Sequence, residues 1–97
     1  MHDHKLKVFC AVAETGSFSK ASKMVNLTQP AVSLQIQALE ESYETALFER
    51  SGKNITLTAA GKLLYQYAKD ILNLYTTVEK EINNLTGLSK GSLQVGA

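Results

Sequence analysis

One proline, one cysteine, no tryptophan and no long apolar run occur in the 97 residues, and each shortage excludes something. A lone Cys10 cannot close an internal disulfide. Set among apolar neighbours with no histidine close in sequence, it reads as a small buried hydrophobe and not as a reactive thiol. The apolar runs are a few residues long, far short of the roughly 20 that cross a bilayer. The opening "MHDHKLK" leads into an amphipathic pattern and not a signal-peptide core, so the expected compartment is the cytoplasm, with no membrane partner. His2 and His4 cannot share a helical face, and no other histidine follows; solvated side chains are expected there, not metal ligands. With no paired carboxylates in a glycine-rich setting and no phosphate-cradling loop, catalysis is the least favoured class, and no cofactor or metal is expected within these residues.

A strong excess of basic residues is missing too. The formal charge is only +1, which lacks the usual footprint of a nucleic-acid binder. The distribution is less even than the sum. No acid occurs from Thr15 to Leu39, Glu40, Glu41, Glu44 and Glu49 follow, and Arg50 to Lys69 is again free of acids. Positive charge can therefore collect on one face.

What is present is helical patterning. With 44% hydrophobic residues the chain can build one small core. From Asp3 to Glu14, Leu6, Phe9, Cys10 and Ala13 recur at steps of three, one and three, with Val8 and Val12 widening the stripe. Gly16 is a left-handed stop for that helix. Ser17 is the candidate N-cap of a short second helix, Phe18 to Val25, with Phe18, Ala21, Met24 and Val25 inward. After the turn "NLT", Thr28 caps a third helix whose first turn tolerates Pro30. Val32, Ile36, Leu39 and Tyr43 form its buried stripe, so Gln29, Ser33 and Gln37 face outward. Leu47 and Phe48 return to the core, and "ERSGKNITLT" reads as a two-stranded hairpin around a Ser-Gly-Lys-Asn turn.

From Ala59 to about Thr86 no proline intervenes, and a long helix capped by Thr58 and stopped by Gly87 is expected. Leu64, Ala68, Ile71, Tyr75, Val78, Ile82 and Leu85 alternate steps of four and three, the seam of a coiled coil. A helix of roughly 42 Å outreaches so small a domain, so a second copy is the expected partner; a helix folded back on its own domain is the alternative. The tail "LSKGSLQVGA" turns to loop residues and the alternation Leu93, Val95, as at the first strand of a further domain.

A short helix, a turn and a helix with a polar outer face make a helix-turn-helix, whose second helix can enter the major groove. Glutamine amides and serine hydroxyls both donate and accept hydrogen bonds, which suits base edges. A merely solvated face would look the same. The order of elements adds weight, because a hairpin after the third helix makes a winged helix-turn-helix, with Arg50 and Lys53 flanking the wing tip as phosphate contacts. The expected architecture is thus mainly α: a three-helix core plus two-stranded β wing at residues 1–58, a dimerisation helix at 59–86, and a hinge with the first strand of another domain at 87–97.

The stretches "GSFSKASKMVNLTQPAVSLQIQALE", "LFER" and "LTAAGKLLY", in this order and spacing, resemble the amino-terminal domain of the LysR-type transcriptional regulators across residues 1 to about 86. "GSLQVGA" resembles the first strand of that family's effector-binding domain. The resemblance implies sequence-specific binding of double-stranded DNA as a dimer on an inverted repeat, and regulation by a small-molecule effector held elsewhere in a larger protein. A tetramer at full length and RNA polymerase as a further partner are also implied. By position, Gln29 and Ser33 resemble the family's base-reading residues and Pro30 shapes the start of the recognition helix; with Gln37 on the same outward line and Leu34 beside it, they are the expected base-reading set. Lys20, Lys23, Thr28, Arg50, Ser51 and Lys53 are the expected backbone contacts, Lys53 standing where arginine is common. Two positions depart from the pattern. Leu34 replaces a basic residue able to bond guanine, which shifts the expected preference from G toward T. Tyr43 and Glu44 replace the usual leucine and glycine, so the recognition helix is expected to run on or fray. Two alternatives stand beside this reading: a winged-helix module used only for protein assembly, and the amino-terminal domain of a molybdate-responsive regulator.

Overall fold

Side-chain caps cut the chain into its helices. The hydroxyls of Ser17, Thr28 and Thr58 accept the backbone N–H groups of Lys20, Ala31 and Gly61 at 3.1, 3.2 and 3.0 Å. Each satisfies a donor that the first helical turn leaves without an internal partner. A computed structural model describes residues 3–89; the expected strand at Leu93 and Val95 lies outside them, as does His2. The elements are α1 (Asp3–Thr15), α2 (Phe18–Val25), α3 (Gln29–Tyr43), β1 (Phe48–Ser51), β2 (Asn54–Leu57) and α4 (Ala59–Ser89). The strands pair antiparallel, Phe48 opposite Leu57 and Ser51 opposite Asn54. Between them lies a two-residue turn whose Gly52 takes φ +62°, a conformation that glycine adopts without strain. This is the mainly helical, winged helix-turn-helix architecture that the sequence predicts.

The core is built around α1, which packs against α2, α3 and α4. That is why burial on α1 is wider than one stripe, taking in Leu6, Val8, Phe9, Cys10, Ala11 and Val12. Val32, Ile36 and Leu39 of α3, Ala21 of α2, Leu47 and Ala68 complete it. Burial pushes the Cys10 thiol up to about 11, with the charge of Glu14 adding to the effect and that of Lys69 opposing it. Met24, expected inward, is 57% exposed. Its place is taken by buried Ser22, whose hydroxyl donates to the Ser19 carbonyl at 2.7 Å. Tyr43, the last of the expected α3 stripe, is 53% exposed, because the final turn of α3 overhangs the core.

Two helix ends differ from expectation. α3 neither runs on nor frays: Glu44 itself takes the left-handed conformation, φ 57° and ψ 37°, and its N–H bonds back to the Glu40 and Glu41 carbonyls. Thr45 N–H also reaches the Glu40 carbonyl, at 3.1 Å, so the closure uses the same bonds a glycine would make, at a modest conformational cost. α4 passes through Gly87 to Ser89. Gly87 does not take the left-handed conformation, and a single glycine costs a helix only about 1 kcal/mol.

Candidate nucleic-acid interface

Thr28 and Pro30 start α3 and fix the direction of its outer face. Along that face Gln29, Pro30 and Gln37 are exposed, Ser33 is half-buried, and Leu34 is 65% exposed with no packing partner in the core. The expected base-reading residues therefore lie together on one open surface. Lys20 and Lys23 are exposed on α2, and Thr28 at the helix-turn-helix junction is exposed as well. Ser51 and Lys53 are exposed at the wing turn.

Arg50 stands apart from that turn. It lies inside β1, opposite Ile55, and its guanidinium carbon sits 5.0 Å from the centroid of the Phe18 ring. Stacking of this kind holds a flexible cation in place. Phe48 anchors the wing below it, its ring 5.2 Å from that of Phe9 and 6.4 Å, edge-on, from that of Phe18. Phe18, Ser33, Gln37, Glu40, Phe48 and Arg50 line one cleft of about 180 Å³ between the outer face of α3 and the wing. Sequence reasoning missed Phe18 and Glu40 here, since both read as ordinary core-facing and solvated residues.

The long helix has two apolar faces. Leu64, Ala68 and Leu72 pack toward the core of their own domain, Ala68 completely buried. Among the described side chains of α4, the exposed large apolar ones are instead Leu63, Tyr67, Ile71, Leu74, Val78, Ile82 and Leu85. Of the expected seam, Leu64 and Ala68 thus serve the domain itself, and Tyr75 is half-buried. Ile71, Val78, Ile82 and Leu85 remain free. The free residues step by four, four and three, so that Leu63, Leu74 and Leu85 are eleven apart, as are Tyr67 and Val78, and Ile71 and Ile82. The heptad reading missed Leu63, Tyr67 and Leu74, although the eleven-residue repeat is written in the sequence. At its start this stripe widens into an open groove of about 410 Å³ bordered by Tyr43, Thr45 and Leu47.

Among the described residues no cluster of His, Cys, Asp or Glu is placed to hold a metal ion. No described helix is long and apolar enough to cross a membrane.

Helix-turn-helix, wing and projecting helix together define the class of winged helix-turn-helix domains with a linker helix. The family model for bacterial regulatory helix-turn-helix proteins of the lysR family matches residues 4–62, and the chain belongs to that family. It is 47% identical over 88 residues to an uncharacterized HTH-type transcriptional regulator of Azotobacter vinelandii, covering 91% of this chain and 61% of that protein. Identity to the RuBisCO operon transcriptional regulator of Acidithiobacillus ferrooxidans is 46% over 92 residues, covering 95% of this chain and 30% of that one. The chain therefore spans about a third to three-fifths of these relatives. Among solved structures, the CbnR DBD in complex with DNA superposes with a TM-score of 0.82 at 37% identity, covering 89% of this chain and 99% of that chain. Vibrio fischeri DarR in complex with DNA gives 0.84 at 33%, covering 91% of this chain and 30% of that chain.

Proposed function

We propose that this domain reads double-stranded DNA as a dimer, with α3 in the major groove and the wing on the phosphate backbone. The observation that carries the reading is the open outer face of α3, where Gln29, Ser33 and Gln37 present amide and hydroxyl groups beside exposed Pro30 and Leu34. Polar groups at this spacing suit base edges. Lys20, Lys23, Arg50 and Lys53, with Thr28 and Ser51, supply backbone contacts. Four cations per chain correspond to a salt slope of roughly −7 for a dimer. Leu34 has neither donor nor acceptor, so what it can recognise in the major groove is the thymine methyl.

The free stripe of α4 is the dimer face in this reading. From Leu63 to Leu85 it runs roughly 33 Å, close to the 34 Å of one duplex turn that separates two half-sites of an inverted repeat. Small-molecule control through a further domain, a tetramer at full length and contact with RNA polymerase belong to the same proposal, resting on family resemblance. Neither an assembly-only module nor a molybdate-responsive regulator gains support from the family match or from relatives solved with DNA.

Selection of bound duplexes from a random pool tests the reading directly. A paired motif with a one-turn spacing is expected, and Leu34→Arg should move one position of each half-site from T toward G. Failure to retain any duplex at low salt would remove the proposal, and an unchanged motif in the variant would remove the role of Leu34.

A further inference from the structure

Glu40 joins the outer helix to the wing twice over. Its backbone carbonyl accepts N–H groups from Glu44 and Thr45, closing α3. Its carboxylate oxygen Oε2 accepts the Leu47 N–H at 2.8 Å and the Phe48 N–H at 3.4 Å, opening β1. Residues 44–48 are thus wrapped around one residue, and the two bonds to its side chain are strengthened by the carboxylate charge. Two residues on, Arg50 is stacked over Phe18. A carboxylate in the cleft that also holds Ser33, Gln37 and Arg50 is otherwise misplaced, since it repels any phosphate brought near. The strut to β1 accounts for its presence.

We propose that Glu40 is a positioning residue for DNA binding, holding the wing cations Arg50 and Lys53 at a fixed offset from the outer face of α3. This rests on the DNA-binding reading above. A ribbon of two four-residue strands is marginal by itself, so its cations make phosphate contacts in step with the base contacts only while its root is held.

The test uses the whole chain and a duplex selected by it from a random pool. Two quantities are measured for Glu40→Ala and Glu40→Gln: the salt slope of binding, and the affinity ratio between the selected duplex and one scrambled in its half-sites. For Glu40→Ala the slope should fall from about −7 to about −4, as the four wing contacts of a dimer are lost, while the ratio changes by less than about threefold. Glu40→Gln, whose amide oxygen still accepts both N–H groups, should recover most of the slope. An unchanged slope, or slope and ratio collapsing together with the melting temperature, would overturn the assignment. If Glu40→Ala does not fold, Lys53→Ala in the background of Glu40→Asp, whose carboxylate is one methylene too short to reach both N–H groups, decides. Coupling requires it to cost less there than in the wild type, and equal costs refute it. A wild type that bound no duplex would fail the underlying reading instead, and this one with it.

Discussion

The two halves of α4 share one helix and one run of apolar residues but are held by different things. In the first half Leu64, Ala68 and Leu72 pack on the domain core. Tyr65 donates a hydrogen bond to the Glu14 carboxylate at 3.0 Å, and the Lys69 ammonium lies 5.3 Å from the centre of the Tyr65 ring. From Thr76 to Gly87 every residue is exposed. The first half therefore belongs to the fold, whereas the second is apolar without serving it. Exposed Leu74, Val78, Ile82 and Leu85 make sense as a surface awaiting a partner.

Substitutions can break this contrast, beginning with the largest effect. Gly61 approaches the root of the wing so closely that an added Cβ would lie 2.1 Å from the Leu47 carbonyl oxygen and 2.9 Å from Leu57 Cδ2. Because the obstacle is backbone, Gly61→Ala should lower stability by about 3 kcal/mol or prevent folding, seen as a fall in melting temperature at every protein concentration. Val78→Asp, in the free half, should leave the monomer fold intact and turn dimers into monomers in sedimentation; a persisting dimer would place the interface elsewhere. Leu64→Ala should do the reverse, costing about 2 kcal/mol of monomer stability with little effect on self-association. A high-pH melt probes the core beneath the first half. The Cys10 thiol rises from 9.0 to about 11 on folding, so its contribution is fully present below pH 9 and is lost as pH climbs to about 11. Cys10→Ala should flatten that part of the profile. Smallest is Lys53→Ala at the exposed wing turn, expected to reduce the salt slope by about 2 per dimer with no change in melting temperature.

Much of this organisation was legible in the sequence because caps and periodicity act locally. Ser17, Thr28 and Thr58 start their helices as read, α2 spans the expected residues, and the line Gln29, Ser33, Gln37 falls on the outer side of α3. What could not be read depends on contacts between distant segments. Which face of α4 meets α1 is decided by the angle at which the helix leaves Thr58, whose hydroxyl donates to the Ala46 carbonyl at 2.7 Å. The closure of α3 at Glu44 is likewise enforced from beyond the helix, by the demand that Leu47 be buried. Glu40 looks solvated in any helical projection, and only the fold shows its carboxylate turned back onto β1.

The spacing of the free residues on α4 has a geometrical consequence. Eleven residues in three turns is 3.67 per turn, so two such surfaces meet along an almost straight line with slight right-handed winding, not the left-handed twist of a heptad zipper. A straight track can slip. Displacement by one full repeat would bring leucine to leucine again, moving the heads by about 16 Å, close to half a turn of duplex, and would set the second head on the opposite side of the double helix. In the proposed dimer full overlap selects one phase, and the length of this track would double as a gauge of half-site spacing.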